Sequence, residues 1–109
     1  MPKLDLDQIV TDMGKAALPL LKDGAKKAKE YGKSEAEKMA RTAALLAAGI
    51  KKGTIDEDEA RLVLDVQKNA SRSILLTITG LGIVAVENAI NAALAVLKQG
   101  IETATGIAL

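Results

Sequence analysis

The residues best placed to do chemistry are four lysines, a run of acids and a polar cluster inside an apolar stretch. Lys22, Lys26, Lys29 and Lys33 follow one another at i, i+4, i+7 and i+11, with Lys15 close to the same phase. On a helix they form one ridge. A ridge of cations can hold the phosphates of a membrane surface or of a nucleic acid. Asp23 and Glu30 dilute that field, and no arginine lies among the lysines. These neighbours favour a solvated helix face. Pairing with the acids at Asp56–Glu59, within or between chains, is a further alternative.

Glu57, Asp58, Glu59 and, further on, Asp65 bring together carboxylates of the kind that bind metals or move protons. The run lacks the spacing and the turn glycine of a calcium loop. It lies where a helix should start, and there acids have a simpler use. Asp56 can cap the first backbone N–H groups, Glu59 can answer it, and all of them favour the positive end of the helix dipole. No metal site and no cofactor is expected from them.

Glu87, Asn88 and Asn91 interrupt an otherwise apolar run, and Glu87 and Asn91 are i, i+4 neighbours. Asn69 falls on the same helical band. In lipid, an ionisable residue at such a depth faces a partner or water and is functional by default. Between helices of an assembly, a buried Asn fixes register and subunit number. The sequence favours that second reading.

Enzymatic chemistry finds little support. The chain has no His and no Cys, so the commonest general base, the commonest transition-metal ligand and all thiol chemistry are missing. Ser71 and Ser73 have no His or Asp pattern behind them, and Gly80-Leu81-Gly82 sits within helix signal without the strand a nucleotide fingerprint needs. The net charge of +1 gives no global attraction for nucleic acid. The chain is expected not to be an enzyme, with no small-molecule substrate and no nucleic-acid partner.

The elements that must carry these residues read as helices throughout, in one domain over residues 1–109. A first segment, about 4–31, repeats Leu6, Ile9, Val10, Met13, Ala17, Leu20 and Leu21 at helical spacing, begins at an Asp5 or Asp7 cap, and should break near 17–19 because Pro19 cannot continue a helix. Gly32-Lys33 reads as a stop, and Ser34 with Glu37 as a capping box opening a second helix over about 34–52. Its face of Ala36, Ala40, Ala43, Ala44 and Ala47 invites close approach by another helix, with Leu62, Val66 or neighbours on the third helix as expected partners. Gly53 is placed to end it. A third helix over about 56–99 would be roughly 60 Å long, and Thr79-Gly80-Leu81-Gly82 is its weakest point, since each glycine costs about 1 kcal/mol relative to alanine.

That third helix carries the functional expectation. From Ile74 to Leu97 it has one formal charge, Glu87. Its polar band, Asn69, Ser73, Gly80, Glu87, Asn91, Lys98 and Glu102, is a thin stripe on an apolar cylinder, the inverse of a surface helix. The fold expected is therefore an all-α helical hairpin with a long, mostly apolar C-terminal helix and a Pro-kinked N-terminal helix, assembling as an oligomer. Ile83, Val86, Ile90 and Leu94 are the contacts expected between copies. In composition the alanine-rich, aromatic-poor chain resembles small phage and assembly proteins, without a family motif. The function favoured is a non-enzymatic structural or assembly protein that self-associates or docks on a larger partner through this helix. The alternative is a small membrane-active, lysis or pore-forming protein with residues 74–97 crossing the bilayer, a span of sufficient length. No cleavable signal is read at the N-terminus, so a cytoplasmic or assembly-associated location is favoured, with the membrane as the alternative.

Overall fold

The computed structural model describes residues 5–78 and 82–109, without the side chains of residues 22–28. Among the described residues all regular structure is helical: α1 (Leu6–Ala17), a 3-10 segment (Leu18–Gly24), α2 (Ala25–Lys52), α3 (Glu57–Leu75) and α4 (Ile83–Thr105).

The first break falls where proline puts it. Asp5 caps α1, accepting from the Gln8 N–H at 3.1 Å, and the Leu18 N–H makes the last bond, to the Gly14 carbonyl. The chain then tightens into the 3-10 segment, within which Leu21 leaves helical geometry (φ −108°, ψ 36°). The break thus extends from Ala17 to Gly24 instead of stopping at Pro19. The expected stop at Gly32-Lys33 is not one: α2 runs through it, and the Ser34–Glu37 box opens no helix. Gly32 answers a different need. A Cβ there would lie 3.3 Å from Leu18 Cδ2, so the missing side chain lets the 3-10 segment lie close on α2.

The α2–α3 turn follows the sequence closely. Gly53 takes a left-handed φ of 75°, and the Thr54 and Ile55 N–H groups bond back to the Gly49 carbonyl at 2.9 and 3.2 Å. Asp56 caps α3 through the Glu59 N–H at 2.8 Å. Ile55 lies on Gly49: a Cβ at position 49 would come within 2.7 Å of Ile55 Cγ1.

The largest departure concerns the third helix. The structure parts it in two, with α3 ending at Leu75 and α4 starting at Ile83. After Leu75 the chain leaves the helix in a turn held by Thr77 Oγ1 on the Ile74 carbonyl (2.6 Å) and by Ile78 N–H on the Leu75 carbonyl (3.1 Å), with the Ile78 side chain buried. Residues 79–81, the expected weak point, lie outside the described residues. The physical reason for the parting is burial. A rod of about 60 Å would expose most of its apolar circumference, at about 25 cal/mol per Å² lost. Ending one helix at Leu75 and starting another at Ile83 lets the chain cover itself. The molecule measures 43 × 23 × 17 Å with a radius of gyration of 13.7 Å. At its C-terminal end α4 continues past Gly100 to Thr105 and closes at Gly106, whose φ is 77°.

α4 is the helix the others surround: α1, the 3-10 segment, α2 and α3 all pack on it. α1 lies antiparallel to it: the start of α1 borders one depression with residues 95–104, and its end borders another with Ala89, Ile90 and Ala93. The core contains Met13, Leu97 and Ile101, all essentially inaccessible, with Val86, Ile90, Leu64 and Met39. The alanine face of α2 enters this core too: Ala36, Ala40, Ala43 and Ala47 are buried. Leu62 and Val66 are exposed, while their neighbours Ala60 and Leu64 on α3 belong to the same core as Ala36, Ala40 and Ala43. The residues of α2 that touch α3 or its lead-in, Glu35, Thr42 and Gly49, lie about a quarter-turn or more round the helix from those alanines.

Candidate functional site

Two features on opposite sides of the α2–α3 pair carry functional chemistry, and a polar network runs between the helices. The network is linear. Thr42 Oγ1 donates to Gln67 Oε1 (3.3 Å), Gln67 Nε2 to Ser71 Oγ (3.3 Å), and Ser71 Oγ to Glu35 Oε1 (2.9 Å). Lys38 Nζ closes it on Glu35 Oε2 at 3.0 Å. Glu35 and Ser71 are 3% and 1% exposed. A buried carboxylate must be bonded or paired to remain there, and here both oxygens are. A serine donating to a carboxylate, without an imidazole, is a satisfied polar contact and not an activated nucleophile.

Sequence reasoning missed this network. Its signal was present: Glu35 shares the phase of Met39, Thr42 and Leu46, and Ser71 that of Leu64, Gln67 and Leu75. A charge on an apolar phase is the mark of a paired buried residue, but reading Glu35 as part of a helix start concealed its phase.

On the inner side of the network lies a cleft of about 810 Å³ bounded by α1, the 3-10 segment, α2, the end of α3 and α4. Met13, Leu18, Met39, Leu75 and Ile90 supply apolar wall, while Gly14, Gly32, Ala36, Ala89 and Ala93 supply room. Glu35 and Ser71 are in the wall, and Lys15, Lys29 and Lys33, all exposed, also border it. Half of the expected lysine ridge is thus brought to the rim of one cavity together with a lysine from α1. The side chains of Lys22 and Lys26 lie outside the described residues.

On the outer side, α3 presents Leu62, Val63 and Val66 to solvent and α2 presents Leu45. Thr42 bonded to Gln67, and Ile55 on Gly49, set the antiparallel register that puts Leu45 level with Val63.

The remaining expected site residues are dispersed. Asn69, Asn88 and Asn91 are exposed. Glu87 pairs with Arg72 across the α3–α4 turn, both side chains partly exposed. Asp58 and Glu57 hold Arg61 at 3.4 and 3.2 Å. Among the described residues no group of three acids could hold a metal. Of the four contacts expected between copies, Val86, Ile90 and Leu94 are buried within the chain, and only Ile83 is exposed. Those three are covered by the chain's own helices, which pack on α4 from several sides. Residues 74–97 do not form one helix, and no helix of the described residues is long and apolar enough to cross a membrane.

Compared with models of known families, with curated proteins and with solved structures, the chain matches none. Its function is read from these surfaces alone.

Proposed function

We propose that this protein is a non-enzymatic assembly component that self-associates, and that the contact lies on the outer face of α2–α3 instead of on the C-terminal helix. The observation that carries the reading is Leu45, 72% exposed, at the level of Val63, with Val66 and Leu62, the last 65% exposed, also presented to solvent by α3. Large apolar side chains grouped in this way mark an interaction surface. A second copy fits it. Rotation by 180° about an axis parallel to the helices lays α2 of one copy antiparallel on α3 of the other, in the geometry of a four-helix bundle. Leu45 then meets the partner's valines, and Lys52 on α2 approaches the level of Glu59 on α3, opposite in charge. The exposed cations of α2 and acids at the start of α3 favour this pairing over α2 on α2.

Sedimentation equilibrium over a dilution series tests the reading. A dimer that dissociates on replacing Leu45 with Glu, with unchanged helicity, is the expected result. A folded monomer at all micromolar concentrations overturns it, as does a dimer indifferent to that change.

A further inference from the structure

The cleft on the inner side of α2 has no part in that contact, and its chemistry points to a ligand. Its volume of about 810 Å³ lies within the range of small-molecule sites, about 300–1,000 Å³. Its wall is largely apolar, with Val10, Ala17 and Leu18 partly exposed and Met13 and Met39 buried, the last two with flexible thioether chains that can adapt to a guest. Water fills an apolar space of this kind poorly, since it needs two to four polar partners. The polar groups are not scattered. Lys29 and Lys33 are i, i+4 on one face of α2, and Lys15 approaches from α1. The one acid in the lining, Glu35, is occupied by Ser71 at 2.9 Å and Lys38 at 3.0 Å. The site therefore combines an apolar trough with an excess of cations from two separate helices.

We propose that this cleft binds a single-chain amphipathic carboxylate, a free long-chain fatty acid. Its hydrocarbon chain lies along Val10, Gly14, Ala17 and Leu18, the partly exposed part of the wall, and its carboxylate lies at Lys15, Lys29 and Lys33. The lysines select the charge of the head group. The lysines alone set the polarity of the guest, because Glu35 is already held by Ser71 and Lys38.

Isothermal titration of the whole protein with dodecanoate below its micelle concentration tests this, with dodecanol and dodecyltrimethylammonium as neutral and cationic controls. Saturable binding of one dodecanoate per chain is expected, at least tenfold tighter than either control. Replacing both rim lysines of α2 (K29Q with K33Q) should weaken it about tenfold, at unchanged helicity and melting temperature. These two side chains are exposed, so loss of fold does not confound the variant. Equal affinity for all three amphiphiles overturns the proposal, as does the absence of saturable binding to folded protein. Binding of anionic lipid vesicles without binding of monomeric dodecanoate also overturns it, and would reassign the lysines to a membrane surface. Displacement of dodecanoate by raising the protein concentration would instead make the cleft a contact for a second copy.

Discussion

α4 and the outer face of α2–α3 reverse the order that composition suggests. α4 and the run leading into it are the most apolar part of the chain, yet within α4 the large side chains from Val86 to Ile101 are almost entirely covered, by four neighbouring segments of the same chain. α3 is rich in charge, with acids in its first turn, and yet shows Leu62, Val63 and Val66 to solvent. The difference lies in phase and position. An apolar residue is covered when its phase faces a neighbour, and α3, at the edge, has neighbours on one side only. Exposure of a few leucines on a polar helix says more about partners than the total hydrophobicity of a helix already surrounded.

The comparison can be broken or sharpened by substitution. The largest effect is expected on the covered side: Leu97→Ala, at a position with no exposure, should cost about 2–5 kcal/mol in chemical denaturation. A cost below about 1 kcal/mol there would mean that α4 is not enclosed as described. Next comes the network between the two sides. Ser71→Ala removes a donor from a buried carboxylate and should cost about 1–3 kcal/mol. Combined with Glu35→Met, the loss should be smaller than the sum of the single losses, because the two residues are direct partners; additivity would refute the coupling. Gly49→Ala is the third. Helix propensity alone favours it by up to about 1 kcal/mol, but the new methyl meets Ile55, and overpacking of about 1–3 kcal/mol should leave the variant less stable. A more stable G49A, measured by its melting temperature, would show that Ile55 moves aside freely. The smallest effect is expected at the partly exposed Arg72–Glu87 pair, where Arg72→Ala should cost no more than about 1 kcal/mol, and less in high salt.

The helical class, the caps at Asp5 and Asp56 and the turn at Gly53 were legible because each rests on local chemistry, a side-chain acceptor or a left-handed φ. Gly32 was misread because glycine has two uses, ending a helix and admitting a neighbour. Only the position of Leu18 distinguishes them here. The division of the third helix was legible as a weak point but not as a turn. Its cause is the burial gained when α4 packs on α1, and that gain lies in contacts distant in sequence. The cleft was illegible for a similar reason. The lysines on α2 were seen as one ridge, while the apolar wall beside them comes from four other segments. The outer face was half legible: Leu62 and Val66 were seen as a pair, but their side of α3 depends on the register with α2.

The placement of α4 has a consequence for biosynthesis. The helix that completes the core is made after the other three, while α1, which lies antiparallel on it, is made before them. At about 5–20 residues per second, Ile9 and Met13 wait on the order of several seconds before Ile101 leaves the ribosome. During that interval the nascent chain can form the α2–α3 hairpin, whose contacts are local, but it cannot bury the stripe of α1. Such uncovered apolar surface is what chaperones bind and what drives misassembly at high local concentration. Folding should therefore begin at the hairpin and finish at the termini, with the α1–α4 contact as its slow, non-local step.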